Sequence, residues 1–175
     1  MAQRDSDLAR PIRMIISDVD GVMTDGQIIY DNTGVESKAF NVRDGLGIKL
    51  WMQCGLQFGI LTSRNSNIVK IRAAELNIRI LRQGFAEKLA AAGEIMRAEQ
   101  IDPSEVCYIG DDLPDLPVMY QVGLPVAVAD AAMEVKQAAV WTMQSPGGRG
   151  AVRELIERLL KAKKMWDDVI PKKFL

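Results

Sequence analysis

The sequence DVDGVMTDG at residues 18–26 directly follows a short apolar run at residues 12–17. The run contains β-branched residues, which is typical of a buried strand, and the segment after it is dense in residues that favour turns. Asp18 and Asp20 therefore stand where the first strand ends. Because they are two residues apart, both carboxylates can face the same crevice as the chain leaves the strand.

Strands and helices alternate along the rest of the chain. This alternation predicts an α/β fold with a mostly parallel, Rossmann-like sheet sandwiched by helices. In such sheets the ligand binds at the carboxyl ends of the strands. The predicted strands span residues 12–17, 56–61, 78–81, 106–109, 125–129 and 140–143, and the predicted helices span residues 44–54, 65–76, 85–100, 116–121, 131–138 and 152–160.

Residues 27–41 interrupt the alternation with the pattern of a β-hairpin, which we call the 27–41 hairpin. Its predicted arms are residues 27–30 and 35–41, around a turn at residues 31–34. We expect it to form a flap after strand one. The length of 175 residues fits a single domain. Within it we expect a disordered lead-in at residues 1–10 and a C-terminal tail at residues 161–175.

The chain contains no histidine. That absence excludes histidine phosphatases, Ser-His-Asp hydrolases and metal sites with histidine ligands. Neither Cys54 nor Cys107 begins a Cys-x5-Arg loop, so a cysteine phosphatase is excluded as well. A metal site in this chain must be built from oxygen ligands, which favours hard cations such as Mg²⁺.

The charge of the chain is balanced, with 22 Lys and Arg against 23 Asp and Glu. A balanced charge offers no electrostatic footprint for nucleic acid or an anionic membrane. No apolar run approaches the roughly 20 residues that a membrane span needs, and the N-terminus does not resemble a signal peptide. The two distant cysteines favour free thiols in a reducing compartment. We therefore expect a cytoplasmic protein with neither nucleic acid nor membrane as a partner.

Polar residues follow four consecutive predicted strands and should meet at one edge of the sheet. A carboxylate beside a bound cation can attack phosphorus and form an acyl phosphate, and a second carboxylate can protonate the leaving alcohol. A hydroxyl and an ammonium can then hold the phosphoryl oxygens, while a further carboxylate binds the cation. The residues that fit these parts are Asp18, Asp20, Thr62, Lys88 and Asp111.

These residues lie in segments that resemble, in order, the four motifs of the haloacid dehalogenase-like superfamily: DVDGVMTDG, the Thr of ILTSR, Lys88 and GDDLPD. The resemblance implies that Asp18 is the nucleophile, Asp20 the general acid and base, and Thr62 and Lys88 the phosphate ligands. It further implies a Mg²⁺ ion held by Asp18, by the backbone carbonyl of Asp20 and by Asp111.

The superfamily inserts its mobile cap domain between the first three motifs. Neither interval has room for such a domain here beyond the 27–41 hairpin, so the resemblance implies a capless enzyme. The roles of Asp112 and Asp115 in the GDDLPD motif stay open at this point.

Three more segments narrow the resemblance: KAFNVRDGLGIK at residues 38–49, LTSR, and GGRGAVRE at residues 147–154. Together they resemble the 3-deoxy-D-manno-octulosonate 8-phosphate phosphatases, homotetrameric magnesium enzymes of lipopolysaccharide sugar synthesis. The resemblance covers residues 12–160 and implies hydrolysis of this sugar acid phosphate through an aspartyl-phosphate intermediate. The substrate-binding residues that it implies are Asp20, Asn41, Val42, Arg43, Asp44, Gly45, Lys49, Arg64, Arg72 and Lys88.

Other functions remain open at this point. A phosphatase for a nine-carbon sugar acid, such as N-acylneuraminate 9-phosphate, is the nearest alternative, although Arg43 and Arg64 favour the eight-carbon acid. A phosphoacceptor receiver domain would carry its phosphorylated Asp on a later strand, where this chain has none. A catalytically silent scaffold is disfavoured because all four motifs are intact.

A capless site for a small sugar acid is too open to exclude water, so we expect a neighbouring subunit to close it. Ile28, Ile29 and Phe40 give the 27–41 hairpin apolar surface for pairing with its copies. We expect a homotetramer built on the hairpins. The GGRG segment and the basic residues after Leu160 would reach a neighbour's active site.

Overall fold

The computed structural model describes the backbone of residues 2–170 and the side chains of residues 5–170. Six parallel strands form one sheet in the order β5-β4-β1-β6-β7-β8. Helices cover both faces, as the alternation of elements predicted, and the α/β fold is confirmed. The strands are β1 (Met14–Ser17), β4 (Gln57–Thr62), β5 (Ile80–Gln83), β6 (Val106–Gly110), β7 (Leu124–Ala127) and β8 (Trp141–Thr142).

The central strands are buried on both faces, which explains why each reads as an apolar run in the sequence. All residues of β1, β6 and β7 are buried. The register places Ser17 of β1 beside Ile60 of β4 and Ile109 of β6. The residues that follow these three strands therefore emerge side by side at one edge.

Among the described residues, eight α-helices form the layers on the two faces of the sheet, and the first of them lies at the N-terminus. The predicted helices are all present, with ends that differ by a few residues. They are α1 (Ala2–Ala9), α2 (Val42–Gln53), α3 (Asn67–Glu75), α4 (Lys88–Glu99), α5 (Leu116–Met119), α6 (Met133–Ala138), α7 (Ala151–Ala162) and α8 (Trp166–Val169).

The third predicted strand, 78–81, begins two residues too early. Helix α3 ends in a turn in which Asn77 has a φ of 60°, and the amide of Ile78 still donates to the carbonyl of Ala73 at 2.8 Å. Ile78 therefore belongs to the helix-terminating turn rather than to the sheet.

The 27–41 hairpin exists but its paired part is short. Strands β2 (Ile29–Tyr30) and β3 (Glu36–Ser37) form a separate two-stranded antiparallel sheet. The Asp31 carboxylate accepts the amides of Thr33 and Val35, at 2.8 and 2.9 Å, and so closes the turn. The predicted arm 35–41 was too long, because Asn41 is the N-cap of α2. Whether the hairpin acts as a flap stays a prediction.

The predicted disordered lead-in at residues 1–10 is corrected by the structure, which has α1 at Ala2–Ala9. The helix packs against α7. Asp5 accepts two hydrogen bonds from the Arg158 guanidinium, both at 2.9 Å, and Ala9 is fully buried. Sequence reasoning missed this element because its anchor lies at the other end of the chain.

The predicted tail at residues 161–175 begins inside α7, which ends at Ala162, and continues through α8. Residues 171–175 lie outside the described part of the chain. That the chain forms a single domain stays a prediction. Among the described residues no helix is both long enough and apolar enough to cross a membrane.

The Arg158 contact predicts a measurable stabilisation by α1. The guanidinium also lies 3.9 Å from the ring centroid of Trp141. Because the bidentate pair and the stacking are lost together, we expect Arg158→Ala to lower the free energy of unfolding by about 1–3 kcal/mol. Arg13→Ala is the matched control, since Arg13 makes a single, exposed 3.4 Å contact with Glu105. The free energy of unfolding of both variants is measured in urea. If Arg158→Ala and Arg13→Ala lower it equally, α1 is not anchored by Arg158.

Candidate active site

Residues at the ends of β1, β4 and β6 form one polar cluster at the carboxyl edge of the sheet. Asp18 directly follows β1, Thr62 is the last residue of β4, and Asp111 directly follows β6. Lys88 is the first residue of α4, whose N-terminus lies at the same edge. The structure therefore brings together the four main residues that the motifs predicted.

Lys88 is the positive centre of this cluster. Its side chain is only 2% exposed, and its Nζ lies 2.7 Å from Asp18 Oδ2 and 2.6 Å from Asp115 Oδ1. Burial alone would lower the pKa of Lys88, but the charges of the two carboxylates outweigh it and the pKa is raised. Lys88 is therefore a permanent cation between two acids.

Asp115 is one of the two residues of the GDDLPD motif whose roles the sequence left open, and it is buried at the centre of the cluster. Its Oδ1 accepts Lys88 Nζ and the Tyr108 hydroxyl, each at 2.6 Å. Its Oδ2 accepts the amides of Asp111 and Asp112, at 2.9 and 3.3 Å. Asp115 thus fixes both the lysine and the backbone of the loop that carries Asp111.

The carboxylates of the cluster repel one another. The pKa of Asp111 is raised to about 8, first by burial and then by the charges of Asp18 and Asp115. The pKa of Asp18 is raised for the same leading reason, burial, and Lys88 only partly opposes it. One lysine is therefore too little positive charge for three neighbouring carboxylates.

The donor set fits a divalent cation. Oxygen atoms of Asp18, Asp111 and Asp115 all lie within 4.8 Å of one another. Both oxygens of Asp115 are already taken by hydrogen-bond donors, whereas among residues 2–170 no such donor contacts the Asp111 carboxylate. Within these residues the Asp111 carboxylate is thus free to bind a metal. Asp18 lies beside it, with its two oxygens in contact with the Val19 amide and with Lys88, and a Mg²⁺ ion would offset the excess negative charge of the two carboxylates.

The side chain of Asp20 turns towards the 27–41 hairpin. The Asp20 carboxylate forms an ion pair with Lys38, which follows β3, and its other oxygen lies 3.8 Å from Arg64 Nε. Neither the sequence pattern nor the motifs identified Lys38 as a partner of this acid. Its contact depends on the hairpin folding back over the sheet edge.

The hairpin also holds Arg64. The guanidinium donates to Glu36 Oε1 at 2.8 Å and to the Tyr30 hydroxyl at 3.2 Å, while Ser66 Oγ donates to the other oxygen of Glu36 at 2.7 Å. Hydrogen bonds from Ser66 and Arg64 lower the pKa of Glu36, so this acid stays ionised. Arg64 is therefore held beside Asp20 by the hairpin.

A second group of predicted residues lies at the start of α2. Asn41 Oδ1 accepts the amide of Arg43 at 2.8 Å and caps the helix, and Arg72 donates to the Asn41 carbonyl at 3.4 Å. The buried Asp44 accepts the amide of Arg153 at 2.7 Å and so ties α2 to α7. Arg72 lies close against Gly45, where a Cβ would come within 2.4 Å of its Nη2.

Three predicted substrate residues do not join the carboxylate cluster. Val42 and Arg43 are exposed at the start of α2. Lys49 lies further along α2 and lines a cavity of about 780 Å³ with Gln57 and Ile80, the first residues of β4 and β5. That cavity is at the opposite edge of the sheet. Within one subunit, Lys49 is therefore remote from Asp18.

The GGRG segment packs directly against the loop after β1. The amide of Gly148 donates to the carbonyl of Val22 at 2.9 Å, and a Cβ on Gly147 would lie 1.8 Å from the carbonyl oxygen of Gly21. Only glycine fits so close an approach. The segment therefore supports its own site loop, rather than acting as the flexible arm that the sequence suggested.

A model of haloacid dehalogenase-like hydrolases matches residues 56–155, more than half of the chain. The 3-deoxy-D-manno-octulosonate 8-phosphate phosphatase of Yersinia pestis is 48% identical over 154 residues, which cover 88% of this chain and 82% of the relative. The chain belongs to the 3-deoxy-D-manno-octulosonate 8-phosphate phosphatase family.

Solved structures of this phosphatase family share the whole fold. The Moraxella catarrhalis phosphatase, in complex with a magnesium ion, a phosphate ion and KDO, has a TM-score of 0.95 at 38% identity, covering 99% of each chain. The cobalt-bound form of the Haemophilus influenzae phosphatase has a TM-score of 0.91 at 38% identity, covering 95% of this chain and 97% of that one. The family fold therefore binds divalent metal in two relatives.

The hydrogen bond from Tyr108 to Asp115 predicts a stabilising role for a buried hydroxyl. We expect Tyr108→Phe to lower the free energy of unfolding by about 1–3 kcal/mol, because a buried carboxylate loses one of its donors. Tyr120→Phe is the matched control, since Tyr120 is exposed, and we expect a change within about 0.5 kcal/mol. Urea unfolding of both variants measures the difference, and indistinguishable curves would contradict the assigned role.

Proposed function

We propose that this chain hydrolyses 3-deoxy-D-manno-octulosonate 8-phosphate to the free sugar acid and phosphate, with Mg²⁺ as cofactor. The observation that carries the proposal is the buried Lys88 between Asp18 and Asp115, with the carboxylate of Asp111 in the same cluster. The proposal is further supported by relatives of that name that are 46–48% identical over most of the chain.

Asp18 is the proposed nucleophile. One of its carboxylate oxygens forms a bond to phosphorus while the bond from phosphorus to the sugar oxygen breaks, which gives an aspartyl phosphate. The backbone amide of Val19 donates to Asp18 Oδ1 at 2.6 Å and Lys88 contacts Oδ2. These two contacts fix the orientation of the carboxylate before the substrate binds.

Asp20 is the proposed general acid and base. It gives a proton to the departing sugar oxygen, and it then takes a proton from the water that attacks the phosphorus of the aspartyl phosphate. This second step releases inorganic phosphate and restores the Asp18 carboxylate. Both steps need the Asp20 side chain beside the crevice, two residues beyond Asp18.

Thr62 and Lys88 are the proposed phosphate ligands, because a hydroxyl and an ammonium can donate to phosphoryl oxygens. Asp18, the backbone carbonyl of Asp20 and Asp111 would hold the Mg²⁺ ion. When bound, that ion offsets the charge between the carboxylates and the phosphoryl group. Asp115 orients both Lys88 and the loop that carries Asp111, through the hydrogen bonds that it accepts from the Lys88 ammonium and the Asp111 amide.

The proposed nucleophile gives the first test of function. We expect Asp18→Asn to abolish phosphate release, because the amide oxygen cannot form the covalent intermediate, while the fold is retained. The measurement is release of phosphate from the sugar acid phosphate with Mg²⁺, and again after treatment with EDTA. Circular dichroism controls for folding. Substantial activity in folded Asp18→Asn, or full activity after chelation, would contradict the proposal.

Arg64 is the proposed ligand for the sugar acid carboxylate, which it can bind through a bidentate pair. We expect Arg64→Ala to raise KM for the sugar acid phosphate by roughly tenfold or more, with little change for p-nitrophenyl phosphate, which has no carboxylate. Arg79→Ala, at the opposite edge of the sheet, is the control. Equal losses on both substrates would assign Arg64 to the phosphate or to the fold.

We propose that the chain works as a homotetramer built on the 27–41 hairpin. Ile28, Ile29, Tyr30 and Val35 are exposed apolar residues on that hairpin, and apolar surface of this kind favours association. Arg43, which is exposed at the start of α2, would then serve a neighbour. We also propose a cytoplasmic setting in lipopolysaccharide sugar synthesis, which two free cysteines support.

The assembly has its own test. We expect light scattering to report about four chains, because the apolar hairpin surface is covered in the assembly. Ile29→Lys should reduce that number by placing a charge within the contact. Ile71→Lys, which changes an exposed apolar residue on α3, is the matched control. A fully active monomer would refute the assembly and leave the proposed chemistry intact.

A further inference from the structure

Lys38, the first residue of the KAFNVRDGLGIK segment, has an almost completely buried side chain, and the proposed mechanism gives this cation no role. Its side chain is 1% exposed, less than that of Lys88. The ammonium forms an ion pair with Asp20, and its distance to Glu36 Oε1 is 3.6 Å. Burying an unpaired ammonium costs several kcal/mol, so these two carboxylates determine where the Lys38 side chain lies.

The two acids that hold Lys38 come from different parts of the fold. Glu36 belongs to β3 of the hairpin and also binds Arg64. Asp20 belongs to the loop after β1. Lys38 therefore connects the hairpin to the loop that carries the proposed general acid and base. The two acids, Asp20 and Glu36, and the two cations, Lys38 and Arg64, together form a network whose net charge is zero.

We infer that Lys38 is a positioning residue that holds the Asp20 carboxylate in its working orientation. The inference rests on the proposed function, in which Asp20 exchanges protons with the departing oxygen and with water. Asp20 follows a strand in a loop, and its only other side-chain contact among the described residues is the longer one to Arg64 Nε, at 3.8 Å. A shift of about 1 Å in a catalytic group can cost on the order of a hundredfold in rate.

This role differs from that of Arg64. In the proposed function Arg64 binds the carboxylate of the sugar acid, so the loss of Arg64 should slow turnover only of substrates that carry a carboxylate. Lys38 acts on the Asp20 carboxylate, which transfers the proton, so the loss of Lys38 should lower the rate most for substrates whose departing oxygen needs a proton. The acidity of the leaving group therefore separates the two roles.

The experiment compares phenyl phosphate with p-nitrophenyl phosphate, neither of which carries a carboxylate for Arg64. We expect Lys38→Met to lower kcat/KM roughly tenfold or more for phenyl phosphate and by less than about threefold for p-nitrophenyl phosphate, whose leaving group departs without a proton. Lys70→Met is the control, because Lys70 is exposed on α3, and it should leave both values unchanged. Proportional losses on both substrates would overturn the inference.

A double-variant cycle tests whether Lys38 acts through Asp20. Asp20→Asn combined with Lys38→Met removes both charges of the pair, so it leaves no unpaired ion between them. We expect the double variant to be no slower on phenyl phosphate than Asp20→Asn alone. If the fold losses in kcat/KM of the two single variants multiply in the double variant, Lys38 acts independently of Asp20 and the inference is wrong.

The same proteins separate this inference from the proposed function. If the unaltered chain releases no phosphate from the sugar acid phosphate with Mg²⁺, the proposed function fails. If it does, and Lys38→Met is folded but shows the same sensitivity to the leaving group as the unaltered chain, only the role of Lys38 fails. Lys38→Arg should restore part of the lost rate, because it keeps a cation beside Asp20.

Discussion

The ion pairs of Lys88 are the interaction on which the site depends. Three carboxylates converge where parallel strands end, and one buried ammonium lies between two of them, at 2.7 and 2.6 Å. Burial, and after it the negative charges of Asp18 and Asp115, raise the pKa of Asp111 to about 8. An arrangement of this kind is unfavourable for a merely structural core, and it becomes favourable when a divalent cation and a phosphoryl group are bound.

The 27–41 hairpin adds a second network of charges beside the first. Glu36, Lys38 and Arg64 connect the hairpin to Asp20, so the short two-stranded sheet is tied to the proposed chemistry although it contributes little to the main core. A capless phosphatase has no second domain with which to organise its substrate side. In our proposal the hairpin performs that task within one subunit, and its apolar residues also join the subunits.

Much of the fold could be predicted because its central strands are buried on both faces and therefore read as apolar runs. The positions of Asp18, Thr62, Lys88 and Asp111 could also be predicted, since each ends or follows a strand, or begins a helix, at the same edge. Residues whose importance depends on a distant partner could not be found this way. Helix α1 is held by Arg158, and Lys38 and Asp115 gain their roles from side chains that the sequence does not place beside them. Lys49, in turn, belongs to the 38–49 segment that resembles the family, but it lies at the other edge.

The central claim is that phosphate passes through a covalent bond to Asp18. The most direct measurement mixes the enzyme with the sugar acid phosphate and Mg²⁺, quenches with acid during turnover, reduces with borohydride and analyses the peptides by mass spectrometry. An aspartyl phosphate is reduced to homoserine, so our account predicts homoserine at position 18 and nowhere else. Unmodified Asp18 in every quenched sample, while phosphate continues to be released, would contradict the account and indicate direct attack by water.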